Sequence, residues 1–99
     1  MDNSTVLTTV RKYKKLLAKH MTFEKIILYG SQAKGRAHAN SDIDVAVIVK
    51  NDTGDFFSTR PLLWKIRREV DDRIEPVLID KNHDESGFLN EIMKTGIII

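Results

Sequence analysis

Val6, Val10, Tyr13 and Leu17 recur at spacings of four, three and four, and Leu7 and Leu16 widen the stripe. That period predicts an amphipathic helix over about 4–20, with Asn3 and Ser4 as its capping signal. Lys25-Ile26-Ile27-Leu28-Tyr29 is apolar, β-branched and too short for a helix, so it reads as a strand stopped by Gly30. From 42 to 49 the pattern changes to period two. Ile43, Val45, Val47 and Val49 share one face, and Asp42, Asp44, Ala46 and Ile48 share the other. The cluster at 50–55 is a turn, and Pro61, Leu62, Leu63, Ile66 and Val70 predict a helix with proline in its first turn. Residues 74–79 read as a third strand. Because Pro76 has no N–H for the ladder, that strand is expected at an edge, with the second strand central. Phe88, Leu89, Ile92 and Met93 form a last helical stripe, with Gly96 as its expected C-cap before an apolar tail, Ile97-Ile98-Ile99. With a short helix opening after Gly30, the predicted order is αβαβαβα.

Composition narrows this picture modestly. Ninety-nine residues, 41% of them hydrophobic, predict one domain over 1–99, and any second functional part is expected from another chain. A formal charge of +2 leans only faintly toward anionic partners. Arg11, Lys12, Lys14, Lys15 and Lys19 line the polar face of the first helix; without interleaved aromatics they read as a solvated face, and nucleic acid is not the expected partner. The absence of cysteine rules out disulfides, a thiol nucleophile and cysteine-ligated zinc, and suits a reducing compartment. The polar N-terminus has no signal-peptide pattern, and no apolar run reaches the roughly 18 residues of a membrane span, so the expected location is the cytoplasm.

The chemistry concentrates around two short segments. Period two puts Asp42 and Asp44 on one face, roughly 6–7 Å apart along the strand. Two hard carboxylates without His or Cys beside them suit Mg²⁺ or Mn²⁺ rather than zinc, although acids also occur at strand ends simply to meet solvent. Upstream, Gly30 and Ser31 lead into Gln32-Ala33-Lys34-Gly35. This is either an ordinary capped turn or a helix start whose free N–H groups, with the Ser31 hydroxyl, receive phosphates while Lys34 and Arg36 add charge. Each segment alone is ambiguous; their separation by ten residues, 32–41, is more specific.

Gly-Ser, ten residues, then Asp-x-Asp resembles the signature of the DNA polymerase β-like nucleotidyltransferase superfamily. The stretch 28–47, LYGSQAKGRAHANSDIDVAV, is especially similar to the minimal nucleotidyltransferases of prokaryotes. The resemblance implies an α/β (α+β) two-layer fold with a three-stranded mixed sheet and helices on one face. It also implies transfer of a nucleoside monophosphate from ATP or another nucleotide, AMP from ATP being the favoured case, with loss of pyrophosphate. Asp42 and Asp44 would be shared metal ligands, and Gly30 and Ser31 would grip the outer phosphates.

The family also implies a third carboxylate on the neighbouring strand, which would bind the metal and help accept the acceptor's proton. Glu75 is the candidate for this catalytic and metal-binding place, provided the strands pair in register. It departs from the expected aspartate by one bond of about 1.5 Å. Asp71, Asp72 and Asp80 are placed less well, at a helix end or past the strand. His20, His38 and His83 are scattered without ligand spacing and read as surface residues, His38 alone lying in the loop between the two motif halves. Trp64, Phe56 and Phe57 read as core or partner contacts. Minimal nucleotidyltransferases pair with small helical HEPN-type proteins as toxin–antitoxin systems in which AMP is placed on a toxin tyrosine. The resemblance therefore implies an antitoxin-type protein adenylyltransferase. A non-catalytic nucleotide-binding module that neutralises such a partner is the alternative, and a small-molecule transferase ranks below both.

Overall fold

A computed structural model of the chain describes residues 3–30, 32–33, 42–50, 56–83 and 86–99. The elements run α1 (Asn3–Leu17), β1 (Lys25–Tyr29), β2 (Ile43–Val49), α2 (Phe56–Arg67), β3 (Ile74–Asp80), a 3-10 turn (Lys81–His83), α3 (Phe88–Thr95) and β4 (Ile97–Ile98). Hydrogen bonding orders the sheet β3-β2-β1-β4. β1 is antiparallel to both β2 and β4, whereas β2 and β3 are parallel, as the α2 crossover between them requires. The mixed sheet and α+β layering follow the expectation. β2 lies inside and the proline-bearing β3 lies at an edge, where the missing donor of Pro76 costs least.

Two details of the expected architecture need correction. The sheet has four strands rather than three, because the tail read as merely apolar pairs with β1: Ile97 lies opposite Leu28 and Ile98 opposite Ile27. The helices also do not share one face. Val6, Val10, Tyr13 and Leu17 of α1 and Leu63 and Ile66 of α2 pack with Ile26, Leu28, Val45 and Val47. Ile92 of α3, with Leu89 against it, packs instead with Ile27, Ala46 and Ile48 on the other side. Both faces of β2 are covered, its even-numbered members Ala46 and Ile48 being buried as fully as Val45 and Val47.

Local chemistry explains the remaining differences. Pro61 lies inside α2 rather than in its first turn; the helix begins a turn earlier and forgoes one backbone bond there, while Leu63 and Ile66 anchor it beyond the proline. Gly96 caps α3 through its N–H to the Ile92 carbonyl at 2.7 Å, in extended rather than left-handed backbone. Glycine is needed there for space, because a Cβ would meet the Ile92 carbonyl and the Ile27 side chain. Lys14 does not belong to the free basic face: its Nζ donates to the Ile99 carbonyl at 2.6 Å, tying α1 to the end of the chain. Arg11, Lys12, Lys15 and Lys19 are exposed as expected. Tyr13 is fully buried and its hydroxyl donates to the Leu63 carbonyl at 3.0 Å, joining the two helices of that layer. The short helix expected after Gly30 falls largely on 34–41, outside the described residues; Gln32 and Ala33 lie in a turn, with Gln32 buried. No helix among the described residues is long and apolar enough to cross a membrane.

Candidate active site

The end of β1 and the starts of β2 and β3 meet on the face that carries α3. In the parallel pair Asp44 lies opposite Glu75, and in the antiparallel pair Asp44 lies opposite Tyr29. Paired residues share a face, so Tyr29, Asp44 and Glu75 form a row across three strands with Asp44 in the middle. The register condition set for Glu75 is thus met at the backbone level. Asp42 is exposed immediately before β2, and Asp44 and Glu75 are half-buried. Asp71 instead binds Arg73 in a salt bridge of 2.9 Å, which holds its carboxyl below the usual range and occupies it structurally.

Gly30 closes β1 with φ +75°, a left-handed conformation that glycine adopts without a Cβ penalty. The same residue lies against the acid row, because a Cβ on it would run into the Asp44 carboxylate. The Gly30 turn and the Asp-x-Asp segment, separate in sequence, therefore converge at one point. Ser31, Lys34 and Arg36, the other candidate phosphate ligands, lie outside the described residues, as does His38. His20 is exposed.

Electrostatics mark Asp44 as the strained member of the row. Burial, then the nearby charges of Asp42 and Glu75, push its carboxyl above the usual carboxylate range. Burial, then Asp44 and Glu75, push the Tyr29 phenol up as well. The charges of Asp42 and Glu75 both act on Asp44, a repulsion that a hard divalent cation would relieve, and oxygen-only donors suit Mg²⁺ or Mn²⁺. Among the described residues no three His, Cys, Asp or Glu side chains stand close enough together to hold a metal ion, so Asp42, Asp44 and Glu75 match a hard cation in donor chemistry and strand position and not in side-chain geometry. Tyr29 was not singled out by sequence reasoning; it looked like one more apolar strand residue until the β1–β2 register set it beside Asp44.

Glu75→Gln removes one of the two charges acting on Asp44 but leaves its burial, the larger cause. The Asp44 carboxyl is therefore expected to titrate lower than in the unsubstituted chain, while staying above the ordinary range. Carbon-detected NMR of the Asp44 side chain measures this; an unmoved titration would show that the two carboxylates do not sense each other.

The model of the family described as Polymerase beta, Nucleotidyltransferase matches residues 11–99. No curated protein matches the chain. Among solved structures, a protein of Sulfolobus solfataricus provisionally named a nucleotidyltransferase superposes with TM-score 0.72 at 16% identity, over 97% of this chain and 80% of that one. A toxin–antitoxin structure with AMP-PNP gives TM-score 0.59 at 23% identity, over 99% and 72%. A mutant form of the toxin–antitoxin pair MntA–HpeT gives 0.57 at 21%, again over 99% and 72%. These likenesses show a shared fold. Because the family match runs through the Gly30 turn, the Asp42-Ile43-Asp44 segment and Glu75 to the last residue, the chain belongs to the Polymerase beta nucleotidyltransferase family.

Proposed function

We propose that this chain is a Mg²⁺- or Mn²⁺-dependent protein adenylyltransferase that moves AMP from ATP to a hydroxyl of a small helical HEPN-type partner, acting as the antitoxin of the pair. The observation that carries the reading is the register of Glu75 beside Asp44, which brings a third carboxylate to the two supplied by the Asp-x-Asp segment. Family membership supports nucleotidyl transfer. The partner and the adenine nucleotide are suggested by fold neighbours that are toxin–antitoxin complexes, one of them with AMP-PNP. The expected site of action is the cytoplasm.

In this reading Asp42, Asp44 and Glu75 would hold the cation, which when bound neutralises charge on the phosphates and polarises them. The Gly30 turn would receive the outer phosphates, with Ser31, Lys34 and Arg36 as the further phosphate ligands, holding the pyrophosphate that departs. The acceptor oxygen forms a new bond to the α-phosphorus, and the bond from that phosphorus to the bridging oxygen of the β-phosphate breaks. Pyrophosphate leaves, and the hydroxyl proton passes to a carboxylate, for which Glu75 is the nominee. Tyr29, its hydroxyl kept protonated by burial and by the neighbouring acids, stays a neutral wall of the site.

Incubation of the chain with labelled ATP, Mg²⁺ and the helical protein encoded beside it tests the proposal. Label is expected on a partner tyrosine in the unsubstituted reaction and absent with Asp44→Asn. A tight complex that forms without any transfer would instead establish the non-catalytic, partner-neutralising alternative.

A further inference from the structure

α3 leaves a large aromatic ring beside the acid row without needing it for docking. Ile92 is buried and Leu89 is packed beside it, and together they hold the helix against Ile27, Ala46 and Ile48. Phe88, at the start of the same helix, keeps 39% of its surface exposed. An exposed apolar side chain on its own is ordinary. The surroundings of this one are not: its ring meets that of Tyr29 at 5.6 Å between centroids and 87° between planes, an edge-to-face contact. Tyr29 is in turn the cross-strand partner of Asp44. Phe88 is therefore linked to the central carboxylate through a single intervening residue, Tyr29, a separation on the scale of a ribose and base extending from an α-phosphate.

We propose that Phe88, held at a right angle by Tyr29, is the stacking platform for the nucleobase of the bound nucleotide, and so a specificity-determining residue of the donor site. The inference rests on reading the acid row as that donor site. The perpendicular contact with Tyr29 fixes the orientation of the Phe88 ring, and the exposed part of that ring offers a base a stacking surface, which adds affinity without a hydrogen-bond code. The platform accordingly favours large flat purines over pyrimidines and distinguishes adenine from guanine weakly. Neither side chain takes part in bond making.

Calorimetric titration of the full chain with Mg²⁺-ATP and with Mg²⁺-tripolyphosphate separates base from phosphate recognition. Phe88→Ala is expected to weaken ATP by about ten-fold, equivalent to about 1.4 kcal/mol, and to leave tripolyphosphate within about two-fold. Phe88→Tyr, which keeps the ring, is expected to retain parental ATP affinity. Equal weakening of both ligands would show a structural role for Phe88, and unchanged ATP affinity would show no contact; either overturns the platform while leaving the donor site standing. Failure of the unsubstituted chain to bind tripolyphosphate as well as ATP would overturn the donor site and the platform together.

Discussion

Asp44→Asn is expected to lower nucleotidyl transfer by about a thousand-fold while leaving the melting temperature at or above that of the unsubstituted chain. Loss of activity follows from removing the central carboxylate of the row, the one flanked by both Asp42 and Glu75. The stability half follows from the direction of its titration. Burial and two like charges raise the folded-state pKa of Asp44 above its unfolded value. Well below the ordinary range both states hold the proton and the group costs nothing. As pH rises from there to the raised folded value, the unfolded state releases its proton first and the folded state loses stability, a deficit that persists at neutral pH. Asparagine is close in shape and uncharged, so it removes that deficit. Thermal unfolding of both proteins from about pH 4 to about pH 8 measures it, with the difference in melting temperature growing toward neutral pH. Mg²⁺ is expected to stabilise the parent and not the variant, because a ligand that binds only the folded state raises its apparent stability. Parental turnover by the variant would remove Asp44 from the reaction; a lower melting temperature would show that its charge is compensated.

Gly30→Ala is expected to damage both stability and activity, the opposite combination. A side chain at φ +75° costs about 1–3 kcal/mol in backbone strain. The new Cβ must also displace the Asp44 carboxylate, whose Cγ would lie only 3.3 Å away. Misplacing a reacting group by about 1 Å can cost about a hundred-fold in rate, which is the loss expected here. Urea unfolding gives the first quantity and labelled-nucleotide transfer the second. Parental stability would contradict the left-handed turn, and parental activity in a destabilised protein would show that Asp44 is not held through Gly30.

Most of the scaffold was legible because burial writes a period into the chain. The stripe Val6, Val10, Tyr13, Leu17 is fully buried as its spacing required, and Pro76 marked β3 as an edge through a missing donor rather than any subtle preference. The candidate site was legible through spacing, since Gly30 and Asp44 were nominated from two segments that the fold brings into contact. The less legible parts depend on partners distant in the chain. Ile97 and Ile98 are too few to declare a strand, and become one only because β1 offers an open edge. Lys14 looked like one more cation on a polar face, and only docking of the C-terminal residue gave it an acceptor.

Glu75 divides the two kinds of information most cleanly. By itself the sequence determined that acids at 42 and 44 share a strand face and that a glycine turn precedes them at a specific distance, consequences of the period of two and the demands of a tight turn. Glu75 entered only through the family resemblance, which implies a third carboxylate on the next strand if the register allows. Only the tertiary structure decided that Glu75 stands beside Asp44, that Tyr29 closes the row on its other side, and that α3 crosses to that face with Phe88 at its border. Strand register and the choice of sheet face are settled by packing between residues far apart in the chain. A one-residue slip would have turned Glu75 away without changing a single letter of the sequence.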